Sequence, residues 1–290
     1  MQEVEGKVAV ITGAASGIGR AMARVFGAAG MRVALADVEA GALREARAEI
    51  AADGVEAAAF ACDVSQADAV RKLAEDALSA FGRIHVVCNN AGVFCGGTTW
   101  GTSVNDYEWI LRVNVWGVIH GLRTFVPILL EQNEPAHVVN TASMAGLTTG
   151  PLTAAYFMSK HAAVALSESL FHELAMRPGC PVGVSVLCPE LVRTRIFEAE
   201  RNRPPHLKRD AAEDLPEETK QLETTVGSFA SLGVDPRVLA ERTLAAIRED
   251  RFWILPPEGD PWRVAARLRN RSIDDGANPT LGGALAGEGL

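Results

Sequence analysis

Tyr156 and Lys160 stand four residues apart in the run Tyr156-Phe157-Met158-Ser159-Lys160. The run opens a stretch of helical period, which puts both side chains on one face of a helix, one turn apart. An ammonium beside a phenol favours the phenolate and lowers the tyrosine pKa from about 10 toward working pH. A tyrosine tuned in this way can give and take a proton. Alone the spacing is weak, because it also describes an ordinary pair on a helix surface. It gains weight because the chain has only two tyrosines and because Ser143 lies 13 residues earlier, just past a predicted strand. Strand ends are where an open α/β sheet places its ligands.

A second constellation lies near the N-terminus. The first predicted strand runs into Thr12-Gly13-Ala14-Ala15-Ser16-Gly17-Ile18-Gly19 and then into a helix. Glycines at such a turn let the backbone approach a pyrophosphate, and the helix N-terminus offers free N–H groups to the phosphates. The spacing G-x-x-x-G-x-G differs from the standard dinucleotide fingerprint, and a glycine-rich turn alone can be plain turn chemistry. Asp37 ends the second predicted strand, 18 residues past Gly19. A carboxylate there accepts hydrogen bonds from a ribose diol and repels a 2′-phosphate. Its plain reading is a turn or helix-cap residue. Ser16 and Val38 stand where an Arg or Lys would welcome that extra phosphate, so the pattern favours NAD over NADP.

Elements that could hold these residues alternate along the chain. Val8–Ile11, Val33–Ala36, Ala57–Ala61, Ile84–Cys88, Val138–Thr141, Val182–Leu187 and Phe252–Leu255 read as strands. Helical patterns lie between them at Ile18–Ala29, Ala40–Ala52, Asp68–Phe81, Asp106–Gln132, Ala154–Met176 and Val238–Glu249. This alternation predicts a doubly wound α/β fold, a parallel sheet of about seven strands with helices on both faces. The nearly continuous apolar strands agree, since such strands are buried on both sides. Residues 195–232 break the rhythm with a charged, Pro-containing insertion, and insertions of that length are more often functional than not. The tail from about residue 270 carries no clear pattern and is left without assigned structure.

Thr12–Gly19, Asn89-Asn90-Ala91-Gly92, Asn114, Ser143 and Tyr156…Lys160, in this order, resemble the single-domain branch of the short-chain dehydrogenase/reductase family. The resemblance runs from about residue 5 to residue 255 and implies a Rossmann-like domain over 1–260. The insertion at 195–232 would then be a substrate lid, and 261–290 a partly irregular C-terminal extension.

The resemblance also implies roles for single residues. Tyr156 would exchange a proton with the substrate oxygen, and Ser143 would polarise that oxygen. Lys160 would lower the tyrosine pKa and hold the nicotinamide ribose, while Asn114 would hold a relay water. Gly13, Ser16, Gly17, Ile18 and Gly19 would form the phosphate turn, with Asp37 on the adenosine ribose. Asp63-Val64 would contact adenine, Asn90-Ala91-Gly92 would lie beneath the adenosine ribose, and Pro189, Val192 and Thr194 would cradle the carboxamide. Glu190 departs from the family's Pro-Gly at this point. It is either a structural variant or a substrate contact.

Composition closes off other classes. A net charge of −8 without a Lys/Arg run argues against nucleic acid and anionic membrane as partners. No apolar stretch is read as approaching the roughly 18 residues that span a bilayer. The N-terminus enters the first strand without a signal-peptide core. The five cysteines, with no C-x-x-C pair, read as reduced thiols of a cytoplasmic protein. His and Cys never fall at ligand spacing, so no metal is expected.

The expected activity is NAD-dependent hydride transfer between a secondary alcohol and its ketone. The segments around Val93-Phe94-Cys95, Met144–Leu147, Leu152, Leu191 and Phe197 are apolar, which points to a neutral, bulky substrate. Arg193, Arg195 and Arg201 are the candidate anion holders, with Arg193 expected to point away. An epimerase on the extended fold would need a larger C-terminal domain than the 35 residues after Leu255. The alternative from another class is a catalytically silent NAD-binding or sensing protein, which has no need of the tyrosine–lysine pair. Surplus apolar positions on Asp106–Gln132 and Ala154–Met176 predict a homo-oligomer, a tetramer or dimer.

Overall fold

The computed structural model describes residues 1–208 and 233–279. Its strands are β1 Val8–Thr12, β2 Arg32–Asp37, β3 Ala57–Ala61, β4 Val86–Asn89, β5 Ala136–Thr141, β6 Val182–Leu187 and β7 Trp253–Ile254. All pair in parallel in the order 3-2-1-4-5-6-7. The expected doubly wound sheet of seven strands is what the chain forms. β1, Val-Ala-Val-Ile-Thr, is buried at all five positions, as a strand covered on both faces must be.

On one face α1 (Gly17–Ala28), α2 (Ala40–Ala52) and α7 (Pro236–Glu249) bury Met22, Phe26, Ile50, Leu239 and Ile247 against the strands. On the other, α3 (Ala67–Phe81), α5 (Gly117–Gln132) and α6 (Ala154–Ala175) bury Leu73, Phe125, Leu129 and Leu170. Strand order reverses between β1 and β4, which opens a crevice at their C-terminal ends. Thr12, Asp37, Asn89 and Thr141 each end their strand there.

Two expectations are corrected. The single helix expected over 106–132 is α4 (Val104–Leu111), a π turn at Arg112–Trp116, then α5. Ser103 and Asp106 close a capping box at its start. The extra residue of a π turn re-aims one side chain, and here Asn114 is carried to full burial. Second, the run Val104–Gln132 is long and apolar enough to cross a membrane by length and composition, where the sequence reading counted no such stretch. In the fold it is a layer of the sandwich, seated on the sheet through Phe125 and Leu129. Part of the C-terminal extension forms a further helix, α8 (Pro261–Asp274), whose Ala266 packs beside Leu147 and Trp253. Residues 209–232 of the insertion and 280–290 of the tail lie outside the described residues.

Candidate active site

β1 delivers the chain into a cleft of about 350 Å³. Gly13 turns it with φ +66°, and a Cβ on Gly19 would fall 2.2 Å from the Gly13 carbonyl oxygen, so only glycine lets α1 start this close to the strand. Ser16 occupies the N-cap without a side-chain cap bond, which leaves the first backbone N–H groups of α1 toward the cleft. Gly13, Ser16, Gly17 and Ile18 line it, and Gly19 is buried beneath.

Asp37 lines the same cleft and accepts from the backbone N–H of Ala15 at 2.9 Å and of Glu39 at 3.0 Å. It is thus a turn residue and an exposed-edge carboxylate at once. Asp63 and Val64 form the next stretch of wall. Asn90, Ala91 and Gly92 follow, pinned by Thr12: its hydroxyl accepts from Asn90 N at 2.9 Å and Ala91 N at 3.1 Å. Thr12 lies in the quoted motif but was assigned no role from sequence.

The titratable groups lie next to this cleft, behind Thr141 of its wall. Lys160 Nζ donates to the Thr141 carbonyl at 3.0 Å and lies 5.7 Å from the Tyr156 ring centroid. A methyl built on Gly92 would stand 3.4 Å from both Lys160 Nζ and Asn114 Oδ1, so three distant segments converge at one point. Ser143, just past β5, accepts from Ala145 N at 3.1 Å and hydrogen-bonds Tyr156.

Burial pulls Lys160 down to about 8, with the neighbouring Cys188 thiol opposing. Burial pushes Tyr156 up to about 12, and the Ser143 bond acts against that rise. The helix spacing predicted a depressed tyrosine. Here desolvation is the larger effect, and Lys160 Nζ, 5.7 Å from the ring centroid, spends a proton on the Thr141 carbonyl.

Asn114, assigned to a relay water, spends its side chain as a brace. Its amide donates to Val93 O and Ser159 Oγ, each at 3.0 Å, and its carbonyl accepts from Val93 N at 2.8 Å.

The sequence pattern of the short chain dehydrogenase family matches residues 7–205. The chain belongs to this family.

A 1-deoxy-11-beta-hydroxypentalenate dehydrogenase of Streptomyces arenae is 44% identical over 198 residues, 66% of this chain and 69% of the relative. A C alpha-dehydrogenase of Sphingobium sp. is 32% identical over 257 residues, 88% of this chain and 82% of its own length. A short chain dehydrogenase/reductase from Burkholderia phymatum, solved in complex with NAD, superposes with a TM-score of 0.93 at 44% identity, covering 97% of this chain and 98% of that one. These relatives make the chain an enzyme of the dehydrogenase class, working on hydroxyl and carbonyl groups.

In this dehydrogenase Pro189 O accepts from Met144 N at 2.9 Å, and Val192 bridges to Val234. Both are buried framework, while Thr194 reaches the cleft wall and comes against Gly17. Glu190 accepts from Arg242 Nη1 of α7 at 2.8 Å with 5% of its side chain exposed. Its carboxylate is turned to the helix layer behind the strand, a structural use.

Phe94 meets the Tyr156 ring edge-on at 5.1 Å and Phe197 at 5.0 Å, so an aromatic wall flanks the phenol. Arg193 pairs with Asp235 at 2.8 Å on the surface, Arg195 with Glu198 at 2.7 Å, and Arg201 with Glu39 at 2.7 Å. Sequence reasoning missed Glu39 and the buried Arg203, because their partners lie 162 and 97 residues away along the chain.

Proposed function

We propose that this dehydrogenase uses NAD to interconvert a neutral, bulky secondary alcohol and its ketone, with Tyr156 as the acid/base. The observation that carries the substrate class is the Phe94–Tyr156–Phe197 wall combined with a carboxylate partner on each candidate arginine. A pocket of this kind gains affinity by burying hydrocarbon, and none of the three candidate arginines is idle for an anionic group.

Tyr156 gives the proton to the carbonyl oxygen in reduction and takes it from the hydroxyl in oxidation. Ser143, within hydrogen-bond reach of Tyr156, polarises the same oxygen. Lys160 holds a positive charge below about pH 8 beside both and fits the hydroxyls of a ribose. When bound, NAD supplies the hydride acceptor and the redox chemistry. Gly13–Gly19 and the start of α1 suit its pyrophosphate, Asp37 its adenosine diol, and the NAD complex of the Burkholderia relative supports the same choice. Asp37 also repels a 2′-phosphate, so NAD is preferred to NADP.

The test is an absorbance screen of secondary alcohols graded in size, with both cofactors. The expected result is kcat/KM rising with apolar bulk beside the carbinol carbon and with NAD far ahead. The Streptomyces relative is named for a hydroxypentalenate, so acids belong in the panel. A preference for small hydroxy acids or sugar phosphates, or equal use of NADP, refutes the reading. Exposed Trp116, Met158 and Phe171 on the π turn and α6 support a homo-oligomer built on a dimer. Light scattering that reads a monomer at all concentrations would refute that part.

A further inference from the structure

The cleft has a wall that the sequence analysis assigned to the substrate. Thr194–Ile196, Ala199, Arg201, Asn202, Pro204, His206 and Leu207 line it together with the phosphate turn and Asp37–Glu39. Phe197 turns from this strap onto Phe94, which meets the Tyr156 ring edge-on.

Two ties hold the strap in place. One is buried. Arg203, 1% exposed in its side chain, donates to Asp106 Oδ1 at 2.6 Å, to both oxygens of Glu200 at 2.6 and 2.8 Å, and to Leu207 O at 3.0 Å. Its guanidinium lies 4.1 Å over the ring of Trp109. Asp106 and Trp109 belong to α4, so the socket joins the strap to the far side of the cleft mouth. The other tie is part-exposed. Glu39 Oε1 accepts from Arg201 Nε at 3.0 Å, Arg201 Nη2 at 2.7 Å and Asn202 Nδ2 at 2.9 Å. The backbone N–H of the same Glu39 holds the Asp37 carboxylate.

Burying a guanidinium with its carboxylates is a poor way to gain stability, since apolar groups of equal volume often do as well or better. What a matched buried pair gives is one fixed placement. Here it places a strap that is also tied, through the adjacent Arg201 and Asn202, beside the residue that faces the ribose diol.

We infer that Arg203 and Glu39 are positioning residues for the dinucleotide, clasping residues 195–207 over its adenosine half. The inference rests on the NAD reading. The strap is then a cofactor wall first, with Phe197 on its substrate side. The buried Arg203 socket is the fixed tie, and the part-exposed Glu39 tie is the one that opens when the cofactor leaves.

Stopped-flow fluorescence of NADH release tests this with wild type, Glu39→Ala, Glu39→Gln and Arg203→Met. Glu39→Ala should release NADH about three- to tenfold faster, the scale of a part-exposed charged tie, and raise the KM of NAD by a similar factor. The KM of the alcohol at saturating NAD should not follow. Glu39→Gln keeps an acceptor and should fall between. Arg203→Met keeps an apolar stem on Trp109 and should release faster still. If that variant fails to fold, the surface Glu39 pair decides alone.

Release from Glu39→Ala within about twofold of wild type, too small a change for a lost charged tie, overturns the clasp. So does a rise confined to the KM of the alcohol. A wild type that binds no NADH overturns the NAD reading and the clasp with it, an outcome seen before any variant is made.

Discussion

Two buried polar clusters sit on the same pair of strands, one past the C-terminal ends of β5 and β6 and one within them. At the first, Ser143 and Tyr156 are part-exposed, and Lys160 Nζ bonds the carbonyl of Thr141, a residue of the cleft wall. At the second, His137 Nε2 meets Ser185 Oγ at 2.7 Å, and His137 Nδ1 lies 3.7 Å from Asp250 Oδ1. By residue type the second is the better imitation of a catalytic triad. Its protons run the wrong way. Ser185 donates to the Arg251 carbonyl at 2.7 Å, so at the histidine it accepts, and Nε2 carries the hydrogen. Nδ1 is left bare, with no hydrogen-bond partner among the described residues. A base that must take a proton from serine needs the opposite tautomer. His137 is also wholly buried. Proton direction and access separate chemistry from architecture here, whereas residue types do not.

The comparison breaks first, and hardest, at the catalytic end. Tyr156→Phe should leave NADH binding nearly intact and cut turnover by about 10²–10⁴-fold, the usual worth of a positioned acid/base. Turnover above about a tenth of wild type would remove Tyr156 from that role. The matching cut at the other cluster, Ser185→Ala, removes a fully buried hydroxyl and strands two partners. It should lower stability by about 1–3 kcal/mol and leave turnover per folded enzyme alone. A turnover loss comparable with Tyr156→Phe would mean that the two ends are coupled.

Acid gives a finer test. Burial holds His137 neutral down to about 3, against an ordinary value of 6.5, with the N-terminal ammonium adding to the shift. Below 6.5 the unfolded chain takes up a proton that the folded one refuses, so this group's contribution falls as pH drops and levels off near 3. Between pH 6.5 and about 4.5 the wild type should lose about 2–3 kcal/mol more than His137→Gln does, read by urea denaturation at each pH. Equal slopes in the two proteins would show that the folded state admits the proton.

What the chain determines by itself is what short spans determine. Val8–Thr12 followed by three glycines specifies a buried strand, a turn and a helix within 12 residues, because propensity and φ freedom act locally. The alternation of strands and helices specifies a parallel sheet for the same reason, and the reversal of strand order then locates the crevice. One local signal was present and passed over. Asp260-Pro261, an N-cap followed by a proline at the first helical position, announces α8, and Asp260 does cap Trp262 N at 2.9 Å.

Tertiary structure decided the rest. Phe94 against Tyr156, Glu190 against Arg242, Arg201 against Glu39 and Arg203 in its socket on α4 all join residues far apart in sequence. No periodicity or propensity encodes such pairings, since each depends on where two separately formed elements come to rest. The titration of Tyr156 and Lys160 belongs with them. Their spacing sets the distance between ammonium and phenol, but the surrounding fold sets how much water each loses, and desolvation is the larger effect on both.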